Sequence, residues 1–91
     1  MRNLCLFTAV LGITQVAQAD TLCATAEKST WKSESDFRRS IKQSGYRITK
    51  FRVTEGNCYE IYGFDTEGKR VELYFHPITF ALVKAEPVPQ R

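Results

Sequence analysis

Hydrophobic and polar positions change their period twice along the chain. Leu4 to Ile13 (LCLFTAVLGI) is a ten-residue, mostly apolar run. Residues 20–32 show no period and predict an extended lead-in, with Trp31 placed to pack over one end of a core. Ser33-Glu34-Ser35-Asp36 has the form of a helix start. Ser33 is placed to accept from the backbone N–H three residues on, and Asp36 to reach back to the cap. Phe37 and Ile41, four apart, form one narrow buried stripe beside Ser40 and Ser44. Arg38, Arg39, Lys42 and Gln43 fall on the outer face, and Gly45 fits a left-handed stop. The pattern predicts a helix over 34–44.

From Tyr46 the period drops to two. Tyr46 and Ile48 alternate with Arg47 and Thr49, and Phe51 and Val53 flank Arg52. The step from 48 to 51 breaks the alternation, so a bulge near Thr49-Lys50 is expected. Glu55-Gly56-Asn57 is a turn, and Cys58 to Phe64 a second strand. Asp65-Thr66-Glu67-Gly68 fits a three-residue hairpin loop with Gly68 left-handed. Lys69 to Phe75 is the third strand, Pro77-Ile78-Thr79 turns, and Phe80 to Ala85 is the fourth. Pro87 and Pro89 predict an extended tail over 87–91. The expected fold class is α+β, one helix packed on a four-stranded antiparallel sheet. The domain proper spans 33–86.

Register then sorts the side chains. If Asp65 pairs with Lys69, Ile61 faces Leu73 and Tyr59 faces Phe75 on one side. These join Val71, Ile48, Phe51 and Val53 beneath the helix stripe. Glu60 faces Tyr74 and Tyr62 faces Glu72 on the other side. That open face carries Arg52, Glu60, Tyr62, Phe64, Arg70, Glu72, Tyr74 and His76, and Cys58 points toward it. One helix covers only one side of such a sheet, so the second must meet solvent, the lead-in or a partner.

Export changes how the cysteines are read. Arg2, the apolar run and Ala17-Gln18-Ala19 match a signal peptide over residues 1–19, cleaved between Ala19 and Asp20. Ten apolar residues are too few to span a bilayer, which takes about 20. The expected location is periplasmic or secreted. Cys5 leaves with the signal, and the remaining pair, Cys23 and Cys58, is expected to form one structural disulfide. Cleavage removes one of the 13 basic residues and none of the 10 acidic ones, leaving a net charge of +2. That balance gives no electrostatic footprint for nucleic acid.

Catalytic constellations are thin. His76 is the only histidine, and it precedes a proline in a turn, where capping is its ordinary role. Glu60 and Glu72 approach one another on the open face. Acid–base work would need a pocket that drives their pKa values apart. Arg52 and Arg70 nearby make cross-strand ion pairs the simpler expectation. Two cysteines and one histidine do not compose a zinc site, and Asp65–Gly68 lacks a calcium loop's ligand pattern. No enzyme activity, cofactor or metal is expected.

Several segments carry a resemblance. Ser44-Gly45-Tyr46 follows the helix, and Gly56-Asn57-Cys58-Tyr59-Glu60-Ile61-Tyr62 enters the second strand. Asp65-Thr66-Glu67-Gly68-Lys69-Arg70-Val71-Glu72-Leu73-Tyr74-Phe75 forms the hairpin and third strand, and His76-Pro77-Ile78-Thr79 follows. In order and spacing, Trp31 to Lys84 resembles a small exported PepSY domain, the domain found in peptidase propeptides. The family's last turn usually reads Asp-Pro-x-Thr-Gly, whereas here His76 and Phe80 take its ends. The resemblance implies a helix on an antiparallel sheet, no catalytic residues, and inhibition or regulation of a peptidase or another envelope protein. The expected partner-binding residues are Tyr62, Phe64, Arg70, Glu72, Tyr74 and His76. The alternative is a soluble accessory or sensor subunit of a membrane redox or signalling system, binding a small ligand or metal. Neither nucleic acid nor stable membrane insertion after cleavage is expected.

Overall fold

A computed structural model describes residues 21–90. The expected signal peptide over 1–19 and the expected cleavage between Ala19 and Asp20 lie outside these residues. Beyond a 3-10 turn at Lys28–Thr30, the chain forms α1 (Glu34–Gln43), β1 (Arg47–Val53), β2 (Tyr59–Phe64), β3 (Arg70–Phe75) and β4 (Leu82–Pro87). The strands make one antiparallel sheet in the order β1-β2-β3-β4.

The helix is bounded by the residues the sequence supplies for it. The Ser33 hydroxyl accepts from the Asp36 N–H at 3.0 Å. The reciprocal half of the cap is absent: Asp36 instead takes the Arg39 guanidinium at 3.0 Å. An aspartate is one methylene shorter than the glutamate that normally reaches back, and a cation one turn on competes for it. At the other end Gly45 takes φ +98°, the Tyr46 N–H donates to Ile41 O at 3.2 Å, and the Gly45 N–H donates to Lys42 O at 3.0 Å. These two bonds define a Schellman stop.

The sheet register is the one expected, with Ile61 opposite Leu73, Tyr59 opposite Phe75, Tyr62 opposite Glu72 and Glu60 opposite Tyr74. The predicted bulge lies between Ile48 and Lys50. Thr49 closes it by donating its hydroxyl to the Tyr62 carbonyl at 2.9 Å. The β2–β3 hairpin is held by the Asp65 carboxylate, which accepts from Glu67 N–H at 2.9 Å and Lys69 N–H at 2.8 Å, with Gly68 at φ +84°.

Phe37 and Ile41 bury the helix against Tyr59, Ile61, Leu73 and Phe75. Phe37 is the hub, its ring 5.1–5.7 Å from those of Phe51, Tyr59, Phe75 and Phe80. Aromatic pairs of this kind add about 0.5–1.5 kcal/mol each beyond the area they bury. Trp31 closes one end with its ring edge-on to Tyr59 at 5.6 Å. Val53 does not join this core. It is 43% exposed, because β1 is an edge strand and gives it a strand neighbour on one side only.

The fourth strand is displaced from its expected position. It starts at Leu82, not Phe80, and runs through Pro87, which the edge position tolerates because no ladder donor is needed on the outer side. Phe80 belongs to the turn. It takes φ +64° and turns its ring onto Phe37. The left-handed geometry that glycine normally supplies is therefore kept by a phenylalanine, whose conformational cost of roughly 1–2 kcal/mol is offset by core burial.

The lead-in is fastened to the β1–β2 turn. Cys23 and Cys58 form the expected disulfide. The Cys23 N–H donates to Gly56 O at 2.9 Å, and the Asn57 amide donates to Ala24 O at 3.0 Å. A β-carbon on Gly56 would stand 1.8 Å from Thr21 O, so glycine is what lets the two backbones meet.

Candidate functional site: the sheet face opposite the helix

Side chains from all four strands meet on the face that α1 leaves uncovered. At its centre is Glu60, only 1% exposed. Arg52 on β1 donates to its Oε1 at 2.5 Å, and its Oε2 is buried without a partner by ordinary hydrogen-bond geometry. Diagonally across, Glu72 accepts from the Tyr74 hydroxyl at 2.7 Å. The expected Arg52–Glu60 pair is thus present, yet its carboxylate is buried, which alternation alone does not reveal.

Burial, and then the neighbouring Glu72 carboxyl, hold the Glu60 carboxyl above the usual glutamate range, with Arg52 opposing them. The Glu60 carboxyl in turn holds Glu72 below that range, against the cost of its own desolvation. Two neighbouring carboxyls in one partly buried site are thus pushed in opposite directions. Burial raises the Tyr74 and Tyr62 hydroxyls, and the nearby glutamates raise them further. The Glu60 hydrogen bond raises the Arg52 guanidinium.

Cations ring this centre, each standing over the aromatic ring of its own register partner. Arg47 lies over Phe64 at 4.5 Å, Lys50 over Tyr62 at 5.8 Å and Lys84 over Tyr74 at 5.7 Å. Edge strands supply the cations and central strands the rings. Sequence reasoning misses Arg47, Lys50 and Lys84. The signal is in the register, but it emerges only once the two bulges in β1 and β4 are placed.

The expected partner-binding residues divide. Tyr62, Phe64, Glu72 and Tyr74 come together here. Arg70 pairs with Phe64 at the end of β3, in register with the same face, and its backbone N–H and C=O are clamped by the Gln90 side chain at 3.0 and 2.9 Å. His76 lies in the β3–β4 turn, with Nδ1 accepting from Ile78 N–H at 3.0 Å and Thr79 N–H at 3.3 Å. It does there what an aspartate does in the usual form of this turn. No group of three metal-ligating side chains is present among the described residues. Glu60 and Glu72 do have their pKa values pushed apart, as an acid–base pair would, but at 1% exposure Glu60 cannot reach a substrate proton.

No helix among the described residues is long and apolar enough to cross a membrane. No curated protein and no solved structure matches the chain. The family model described as peptidase propeptide and YPEB domain matches residues 3–86. Domains of this type are generally non-catalytic and typically extracellular or periplasmic. With the helix, the meander and the turn motifs in the expected order, the chain belongs to the PepSY family of peptidase propeptide and YPEB domains.

Proposed function

We propose that this protein is an exported, non-catalytic protein-binding module that regulates a peptidase or another envelope protein. The signal peptide over 1–19, cut between Ala19 and Asp20, delivers it to the periplasm or the exterior. The observation that carries the reading is the sheet face opposite α1. Tyr62, Phe64 and Tyr74 stand there on central strands, half-buried and set around a fixed charge network. Rigid aromatic side chains bordered by arginine are the composition of binding surfaces. The family supplies the regulatory role, since its domains accompany peptidases as propeptides.

The test has two stages. Purified protein is cross-linked in the native cell envelope, and any peptidase retained is assayed with and without added domain. Dose-dependent inhibition by the wild type, weakened at least tenfold by Phe64→Ala with Tyr62→Phe, is the expected result. These changes spare Glu60, Glu72 and Tyr74, so the melting temperature should move little. Full inhibition by the double variant would remove this face from the account.

A further inference from the structure

Charge is divided unevenly between the two halves of the fold. Residues 34–53, which make α1 and β1, carry six cations and two carboxylates. Residues 54–90 carry six carboxylates and three cations. Beside β1 the cations stand on both faces of the sheet. Arg38 and Lys42 lie on the helix side, lining a groove of about 530 Å³ with Gly45, Tyr46, Ile48 and part of Arg47. Arg47 and Lys50 lie on the other side, on the rings of Phe64 and Tyr62. Arg38 is paired with Glu34 and Arg52 with Glu60, but Lys42, Arg47 and Lys50 have no carboxylate within ion-pair distance among the described residues.

β1 is also an open edge of the sheet, and the two open edges differ. β4 is blunted: it contains Pro87, a register irregularity opposite Tyr74–Phe75, and a Lys84–Glu86 ion pair closed within the strand at 3.1 Å. β1 also carries a bulge, between Ile48 and Lys50, and three cations, but it has no proline and no ion pair closed within the strand, and the groove floor of Tyr46 and Ile48 runs alongside it. Its own positive charge repels a β1 edge from a second copy, which rules against self-pairing there.

From these observations we infer that β1 is a docking edge for an extended acidic segment of a partner protein, bound as a fifth strand. Main-chain hydrogen bonds to β1 supply the attachment, as in other strand-addition complexes. The added strand sends alternate side chains to opposite faces. Carboxylates on one face meet Arg38 and Lys42, and those on the other meet Arg47 and Lys50. A lipid surface would use the charge but not the strand edge or the groove. This surface is distinct from the aromatic face, although Arg47 and Lys50 border both.

The test uses protein purified from cells expressing the full-length chain, with its disulfide formed. The probes are two fluorescent decapeptide libraries, one with glutamate fixed at four positions spread over both strand faces, the other with lysine there. The glutamate library should bind at least tenfold more tightly, and binding should weaken steeply with salt. Lys42→Gln, Arg47→Gln and Lys50→Gln combined should cost tenfold or more, while Lys84→Gln on the far edge stays within twofold. Amide shifts on binding should concentrate in Thr49–Val53, and N-methylation of alternate peptide bonds should abolish them. Equal binding of the two libraries, or indifference to the triple variant, would overturn the inference. Stronger binding to phosphatidylglycerol vesicles than to the acidic library, lost in the same triple variant, would also overturn it, in favour of a lipid surface.

Discussion

The two faces of the sheet are buried by opposite chemistry. Under α1, five buried side chains pack around Phe37, and dispersion and hydrophobic transfer account for their cohesion. On the other face a buried carboxylate sits at the centre, enclosed by an arginine, a second glutamate, tyrosines and, further out, lysines. A charged centre stabilises little on its own, because desolvation opposes the ion pair. The helix side therefore sets whether the chain folds, and the charged side sets what the folded chain presents.

The largest test of that difference is Phe37→Ala. Loss of the hub ring should cost about 3–5 kcal/mol, enough to unfold most of so small a domain, as urea denaturation would show. Removing the Cys23–Cys58 link comes next. The chain-entropy model assigns roughly 4 kcal/mol to a loop of this size, and reduction of the wild type should reproduce the loss seen in Cys23→Ala/Cys58→Ala.

On the charged side, Glu60→Gln should change stability at neutral pH by about 1 kcal/mol or less, but it should reshape the pH profile. The Glu60 carboxyl is raised in the folded state, so its contribution is full below the unfolded value of about 4.3 and is lost as pH rises through the folded value. An amide in its place cannot titrate, and that falling limb should disappear from melting curves. Glu72 is depressed, so its contribution is present above the unfolded value and lost as pH falls through the folded one. The acid limb should survive the substitution. Smallest of all, Lys50→Ala and Lys84→Ala should each cost about 0.5 kcal/mol by thermal melting, the value of an exposed cation–π contact.

The helix side is legible in the sequence. Phe37 and Ile41 fix the stripe, and Asp65 with Gly68 fixes the hairpin that sets the register of β2 on β3. Alternation misplaces Val53 because it assigns a face but not the number of neighbours. The β3–β4 turn is harder. Its left-handed residue is Phe80, which conformational preference places in a strand, and only contact with Phe37 across the core makes that geometry tolerable. The charged side is half legible. Its members follow from register, but the burial of Glu60 depends on how long side chains lie over it, which no spacing rule describes.

The strand order has a consequence for how the molecule is made. Every strand pairs with its neighbour in sequence, so the sheet assembles through three hairpins that each close a short loop. Such local pairing favours fast folding. The bond between Cys23 and Cys58 is different, since it joins residues 35 apart and returns the lead-in to the β1–β2 turn. Local strand pairing sets the position of Cys58 without the lead-in, whereas Cys23 has to be brought back to it. Assembly of the reduced chain should thus precede the disulfide, and the oxidant would act as a latch on a sheet already in register.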